Sequence, residues 1–351
     1  MKDTLTDANF PRTADGRVYH LGVRPGEVAN RIVTVGTPSR ANTIASHLDE
    51  KPKPFVLTSE RGFMTITGLF KGTPVSIVSI GMGSPNMDFF VREIRESVAG
   101  DLAIIRLGSC GALVDVPVST VVVPKACVAV SRNVDFDFVN PQSSSEPAYR
   151  ISKPVSADPE LTEQVLKALE AVHPPTSKAG ILAGTVNASA DSFYSSQGRQ
   201  TSFPDHNADL IEHLVKSVPD LATLEMETFH LYHLAACWGG RTTGPKAGAA
   251  PLTTGPVSPT VEAKAAGGGG SIPSSAQDAN EAGPSLSDGS VIRAAAAQMV
   301  FAARTSRDFI TPQEVEDTEH WTALGVLIAL ANTKIPQDRM HSDKGSVWEL
   351  A

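Results

Sequence analysis

Residues 31–40 read Arg31-Ile32-Val33-Thr34-Val35-Gly36-Thr37-Pro38-Ser39-Arg40. The β-branched run predicts a strand from Arg31 to Gly36, because Ile, Val and Thr suit a pleated, half-buried surface. Thr37-Pro38 marks a turn, and a helix-like stretch follows through Ile44 and Leu48. The same order recurs downstream. Pro74 to Ile80 reads as a strand closed by Gly81-Met82-Gly83, and Ser84-Pro85 then predicts a helix N-cap with proline at the first helical position. Val91, Ile94 and Val98 fall on one face of that helix. Leu102 to Leu107 predicts a short buried strand that ends in Gly108-Ser109-Cys110-Gly111.

Further strands are predicted at Phe63 to Thr67, Val118 to Val123, Gly180 to Val186 and within Val291 to Ala303. Helices are predicted from Asp158-Pro159 onward (Leu161, Val165, Leu169 and Val172 at helical spacing), at Glu225 to Trp238 and at Val315 to Ala331. Strands that alternate with helices imply an α/β fold with a mainly parallel sheet. In such sheets ligands collect at the carboxyl ends of strands, where several polar motifs of this chain fall.

The chain has 351 residues, 41% hydrophobic and 19% charged, with a formal net charge of -8. That balance argues against a general nucleic-acid or anionic-membrane surface, which needs clustered positive charge. It leaves room for a small anion held by a few local arginines. Cys110, Cys127 and Cys237 are too few and too scattered for a disulfide framework or a zinc site. No apolar run approaches the roughly 20 residues that span a bilayer. Residues 1–16 are polar and read as a flexible extension rather than a targeting segment; a cytoplasmic location is the expectation. Residues 239–289, dominated by Gly, Ala, Pro, Ser and Thr, lack hydrophobic periodicity and are expected to be a disordered insert within one domain spanning 17–351.

Three arginines stand beside strand-end loops. Arg40 follows Gly36-Thr37-Pro38-Ser39, Arg61 precedes the strand at Phe63, and Arg106 sits in an otherwise apolar strand. Guanidinium groups match phosphate oxygens bidentately, and an arginine is rarely buried without a partner. Solvated surface positions for Arg40 and Arg61, or a structural salt bridge for Arg106, are the alternatives. Glu225 and Glu227 flank Met226 after Leu221-Ala222-Thr223-Leu224. If that stretch is a strand the two carboxylates share a face; if it enters the helix at once they diverge.

Taken in order, these pieces resemble the nucleoside phosphorylase-I family and, within it, the uridine phosphorylases. The resemblance runs from Tyr19-His20-Leu21-Gly22 through Gly36-Thr-Pro-Ser-Arg40, Gly81-Met-Gly-Ser-Pro85, Arg106-Leu-Gly-Ser-Cys-Gly-Ala112, Asp191-Ser-Phe-Tyr194 and Leu224-Glu-Met-Glu227. It resumes at Ile292-Arg-Ala294 and Val300-Phe-Ala-Ala-Arg-Thr305. It implies a single-domain, three-layer αβα fold with a mixed central sheet. It also implies reversible phosphorolysis of uridine to uracil and ribose 1-phosphate in pyrimidine salvage.

By the same resemblance Gly36, Arg40, Arg106 and Ser109 hold phosphate, and Arg61 reaches the phosphate of a neighbouring subunit's site. Glu225, Met226 and Glu227 contact the ribose, and His20 approaches the 5′-hydroxyl across a subunit interface. Ser109 also lies beside the ribose. Phe193 lies against the nucleoside, Gln197 and Arg199 read the base, Cys110 and Gly111 line the base pocket, and Arg304 sits near its far edge. Arg106, Gln197, Arg199 and Glu227 form the expected catalytic set. No cofactor or metal is implied: inorganic phosphate is the co-substrate. Gly62 stands where bacterial uridine phosphorylases carry a glutamate for an intersubunit cation, although Glu60 is close by. A homodimer with shared active sites is implied; some members stack three dimers into a ring, which the insert would obstruct.

Two departures from the family pattern stand out, Thr37 in place of an aspartate and Ser109-Cys110 in place of two threonines. Purine enzymes of the family carry an aspartate where this chain has Ala303-Arg304, and Asp308 is the nearest acid. That absence favours uridine; a purine nucleoside or methylthioadenosine phosphorylase is the first rival. A hydrolytic nucleosidase or a silent nucleoside-binding protein follows.

Overall fold

The computed structural model describes residues 4–177, 179–238 and 289–350. The expected insert, 239–289, lies outside the described residues except for Gly289. In chain order the strands are β1 (Leu5–Thr6), β2 (Arg12–Thr13), β3 (Arg31–Val35), β4 (Phe55–Thr58), β5 (Met64–Phe70), β6 (Thr73–Ser79), β7 (Leu102–Ala112), β8 (Val121–Arg132), β9 (Tyr149–Ile151), β10 (Val155–Ser156), β11 (Ile181–Ala190), β12 (Leu221–Glu225), β13 (Ile292–Ala303) and β14 (Asp308–Phe309). The helices are α1 (Pro38–Ala45), α2 (Ser84–Arg95), α3 (Pro159–Val172), α4 (Leu210–Ser217), α5 (Thr228–Trp238) and α6 (Pro312–Asn332).

The main sheet runs β14-β13-β8-β11-β12-β7-β3-β6-β5-β4. Pairing is parallel for β3 with β6 and β7, for β13 with β7, and for β11 with β8 and β12. It is antiparallel for β12 with β7, for β13 with β8, and for β5 with β4 and β6. The sheet is therefore mixed; the mainly parallel arrangement expected from strand–helix alternation holds only in part. Because β13 pairs with both β7 and β8, the strands β7, β13, β8, β11 and β12 close on themselves as a small ring.

Helices cover both faces. One core packs α1, α3 and α6 against the sheet through Ile44, Leu161, Val165, Leu169 and Leu327. The other packs α2 and α5 through Met87, Phe90, Ile94, Leu231 and Tyr232. Leu161, Val165 and Leu169, predicted on one helical stripe, are fully buried, worth about 1.5–3 kcal/mol apiece. Asp158 caps α3 by accepting from the Leu161 N–H at 2.7 Å, with Pro159 opening the helix. Within the segment expected as an extension, β1 and β2 pair as a hairpin, and the Arg12 guanidinium reaches the Glu96 carboxylate at 3.3 Å.

Two local expectations are corrected. Ser84 does not cap α2: Gly83 occupies the N-cap at φ 92°, a backbone region that favours glycine. The Ser84 hydroxyl instead reaches the Met226 carbonyl at 3.4 Å. Nor does the strand at 102–107 end in a glycine loop. β7 continues to Ala112 because β13 keeps pairing with it, Met299 opposite Ser109 and Val300 opposite Cys110.

Among the described residues no helix is long and apolar enough to cross a membrane.

Candidate functional site

The site begins where β7 changes neighbours. Along one edge it pairs with β3 up to Thr34 opposite Arg106, and with β12 only from Leu224 opposite Gly111. β3 runs parallel to β7 and β12 antiparallel, so the carboxyl ends of both point into the gap at residues 107–110. Gly36 follows the end of β3 and Met226-Glu227 follow the end of β12. This is a topological switch point, the place where open α/β sheets bind ligands.

Arg106 lies at the mouth of this gap and is 3% exposed. Its Nη2 donates to Glu227 Oε2 at 2.8 Å, while Nε and Nη1 are buried with no hydrogen-bond partner. Glu227 Oε1 accepts from the Gly83 N–H at 2.6 Å. One guanidinium nitrogen is thus anchored while the other two find no acceptor among the described residues, a costly state for buried donors unless an acceptor arrives. A Cβ on Gly36 would stand 3.8 Å from Arg106 Nη2, so the loop after β3 lies against this guanidinium.

Arg40, also buried, donates from Nε to Glu319 Oε1 at 2.7 Å and from Nη1 to the Leu107 carbonyl at 3.4 Å. Burial pushes its guanidinium below the ordinary arginine range; the Glu319 carboxylate opposes this, and nearby Arg106 adds to it. Thr37, where the family pattern favours an acid, caps α1 by accepting from the Arg40 N–H at 3.3 Å. Ser109 is half-buried on the same stretch of β7.

The choice left open for Leu221-Ala222-Thr223-Leu224 is settled by β12: the stretch is a strand, but it ends at Glu225 and the two carboxylates part. Glu225 turns into the protein. Its Oε1 accepts from Asn187 Nδ2 at 2.7 Å and from the Ser189 hydroxyl, and its Oε2 accepts from the N–H groups of Glu227 (2.8 Å) and Thr228 (2.9 Å). It therefore closes the N-terminus of α5, and all these contacts are with the protein itself. Burial and the neighbouring Glu227 carboxylate push Glu225 above the usual carboxylate range, against the pull of its donors. Met226, half-buried between the two acids, faces neither arginine through any hydrogen bond.

A second group gathers around the loop after β11. The Gln197 side chain is buried, and its Oε1 accepts from Arg199 Nη1. Arg199 Nη1 also donates to the Phe193 carbonyl at 2.8 Å, and its guanidinium lies 3.8 Å over the Phe193 ring. Arg304 donates to the Gln197 carbonyl at 2.6 Å. A Cβ on Gly111 would meet Arg304 Cδ at 3.6 Å, which ties this group to β7. Burial lowers both guanidiniums from the ordinary range, and for Arg199 the nearby Arg304 adds to the effect. Phe193, Arg199 and Arg304 line a cleft of about 400 Å³ with Arg307, Asp308 and Phe309. A larger cavity of about 790 Å³ holds none of the predicted site residues, and its Lys125 and Asp220 are paired with each other at 2.6 Å.

Cys110 is buried, and burial raises its thiol well above the ordinary value, with Glu225 adding to the shift. It stays protonated at neutral pH, which suits a pocket wall and not a nucleophile.

His20 and Arg61 form a third group. Arg61 Nη2 donates to the Tyr19 hydroxyl and the guanidinium sits 4.9 Å over the Tyr19 ring; His20 is bound to Glu93. Among the described residues no hydrogen bond or ion pair joins this group to Arg40, Arg106 or Glu227. Sequence reasoning missed Glu93, Asn187, Ser189 and Glu319. Each lies on an ordinary strand or helix, and only its partner makes it part of a site. Among the described residues no group of three or more His, Cys, Asp or Glu could hold a metal.

A helix-covered mixed sheet with a buried arginine–carboxylate centre at its switch point defines the class: an α/β fold whose ligand gap lies at the strand ends. The chain belongs to the phosphorylase superfamily, whose profile matches residues 30–244. It is 30% identical over 246 residues to a uridine phosphorylase of Thermococcus kodakarensis, covering 69% of this chain and 80% of the relative. It is also 30% identical over 218 residues to a DeoD-type purine nucleoside phosphorylase of Jannaschia sp., covering 62% and 80%. A solved structure from a study of two uridine phosphorylases of the oomycete Phytophthora capsici aligns at a TM-score of 0.75 and 35% identity, over 95% of this chain and 100% of that one. A Trypanosoma brucei nucleoside phosphorylase shares the fold at a TM-score of 0.66 and 19% identity, over 92% and 100%. The fold is the nucleoside phosphorylase-I fold.

Proposed function

We propose that the protein is a uridine phosphorylase that converts uridine and phosphate reversibly into uracil and α-D-ribose 1-phosphate. The observation that carries this is the buried Gln197 clamped by Arg199. Uracil presents oxygen, N3–H and oxygen along one edge. Arg199 supplies a donor, Gln197 Oε1 keeps a second lone pair to accept from N3–H, and Gln197 Nε2 supplies another donor. That donor–acceptor–donor edge complements uracil. It rejects a base lacking the pattern, because the protein's own polar groups would be left unpaired.

In the reaction a phosphate oxygen bonds to C1′ as the C1′–N1 bond breaks, with inversion. The electron pair leaves with uracil, whose oxygens take the growing charge opposite Arg199 and Gln197. Arg40, Arg106, Gly36 and Ser109 bind phosphate, and Met226 and Glu227 hold the ribose. Glu225 acts by shaping the Met226-Glu227 turn. Cys110 and Gly111 form the pocket wall and Arg304 its far edge.

Within one chain the charges of Arg40 and Arg106 are balanced by Glu319 and Glu227. An incoming phosphate dianion therefore calls for a further cation. Arg61 of a partner subunit would supply it, and His20 of that subunit would meet the 5′-hydroxyl. We accordingly propose a homodimer with shared sites, acting in pyrimidine salvage in the cytoplasm without a cofactor.

Arg199→Ala is expected to lower kcat/KM for uridine about 10²-fold or more, the scale of losing one oxyanion donor. An unchanged value would remove Arg199 from the site. The purine reading draws on Asp308 in the cleft wall, where its Oδ2 accepts from the Ser306 hydroxyl at 2.8 Å. Phosphate-dependent release of uracil from uridine, run beside inosine and adenosine, decides between them. Faster turnover of a purine nucleoside overturns the uridine assignment.

A further inference from the structure

Helix α2 contributes two side chains one turn apart, Phe89 and Glu93, to a single imidazole. The His20 ring lies on the Phe89 ring at 3.8 Å between centroids and 10° between planes. Its Nδ1 is 2.6 Å from Glu93 Oε1. The Glu93 carboxylate also accepts from the backbone N–H groups of His20 (2.9 Å to Oε1) and Leu21 (2.8 Å to Oε2). Glu93 is 5% exposed, and among the described residues its carboxylate oxygens meet donors from this turn of chain alone. Tyr19 packs edge-on against the imidazole at 4.8 Å and carries Arg61 on its outer face.

The chemistry of these partners fixes the proton. A carboxylate accepting two backbone N–H groups is an acceptor only, so Nδ1 must be the donor. In the neutral ring Nε2 is then the bare nitrogen. Stacking on Phe89 fixes the ring plane, and the backbone bonds fix where the ring is attached. The imidazole is held in the way a metal-binding histidine is held when its second nitrogen is tied to a carboxylate, and among the described residues Nε2 makes no hydrogen bond.

We propose that Glu93 is a positioning residue for sugar recognition: it locks His20 in the Nδ1–H form so that Nε2 accepts the 5′-hydroxyl of the nucleoside in the partner subunit's site. The assignment rests on the reading of His20 as the group that meets this hydroxyl. It makes the enzyme selective for nucleosides with a free 5′-hydroxyl over 5′-deoxy or 5′-blocked ones. Phosphate and base are untouched by it.

The test compares uridine with 5′-deoxyuridine. Glu93→Gln keeps the side-chain volume but turns one acceptor oxygen into an NH2 group that faces donors. The ratio of kcat/KM for uridine over that for 5′-deoxyuridine is expected to fall about tenfold, the scale of one hydrogen bond lost from recognition. His20→Ala should produce the same fall, and adding Glu93→Gln to it should lower the ratio no further, since the two act through one contact. Nitrogen-15 spectra of the free enzyme should show the His20 proton on Nδ1. An Nε2–H tautomer, or an equal loss on both substrates, overturns the proposal while leaving the functional assignment standing. No phosphorolysis of uridine by the unaltered, folded enzyme overturns the functional assignment and this proposal together.

Discussion

Arg106→Ala is expected to lower kcat/KM for phosphate by about 10³-fold or more, the largest catalytic loss of any single change in this chain. A single preorganised donor facing developing or incoming charge is worth roughly 10²–10³. Arg106 offers two such donors, Nε and Nη1, both buried and both without a partner among the described residues. The same change strands Glu227 Oε2, whose 2.8 Å partner is removed, so that carboxylate loses its anchor as well. Arg106→Lys separates charge from geometry. Lysine keeps a cation near Glu227 but cannot hold Glu227 through one nitrogen and keep further N–H donors fixed in the same plane. Its activity should also fall at least tenfold, with the protein folded. Binding supplies a second readout: phosphate should raise the melting temperature of the unaltered protein by mass action and leave Arg106→Ala unmoved. A fall of less than tenfold with the phosphate-induced shift retained would place the anion elsewhere.

How far such a centre can be read from sequence depends on how local its causes are. The unit Arg31 to Leu48 was legible because β-branched strand, glycine turn and apolar helix spacing are all local; α1 ends slightly sooner, at Ala45. The helix after Asp158-Pro159 was legible for the same reason. β7 was cut short in the sequence reading because Gly108 to Gly111 resembles a loop. What keeps it extended is β13, nearly two hundred positions away and beyond the insert. At Gly108 an added Cβ would lie 2.5 Å from Gln298 Oε1, so the glycine there answers to a cross-strand neighbour and not to a turn. Ser84-Pro85 had the composition of a cap, but the Glu227 carboxylate takes the Gly83 N–H and sets the helix start one residue earlier. Glu93 and Glu319 gave no signal at all. An acid on a helix is ordinary until its partner, His20 in one case and Arg40 in the other, is brought beside it by the fold.

The fate of Glu225 is the sharpest case, and it carries the second large effect. Glu225→Ala is expected to destabilise the protein by about 3–5 kcal/mol, because several buried donors lose their acceptor at once. The reason is what remains behind. The N–H groups of Glu227 and Thr228 lose their acceptor at the start of α5, and Asn187 Nδ2 and the Ser189 hydroxyl lose theirs on β11. Each buried orphan costs about 1–3 kcal/mol. The effect should appear as a melting temperature lower by roughly 6–10 °C, taking about 2 °C per kcal/mol for a chain of this size. Glu225→Gln should fall between, since its carbonyl can serve one pair of donors while its NH2 faces the other. Activity should fall with stability and not ahead of it: the turn Glu225-Met226-Glu227 places Glu227 against Arg106, so catalysis is lost when that turn loosens. The resemblance to known phosphorylases puts Glu225 itself at the ribose. These two accounts separate cleanly. A Glu225→Ala protein that melts where the unaltered one does, yet has a raised KM for uridine and little change in kcat, would return Glu225 to the sugar. A lowered melting point, with the KM for uridine of the folded protein unchanged, would keep Glu225 as the brace.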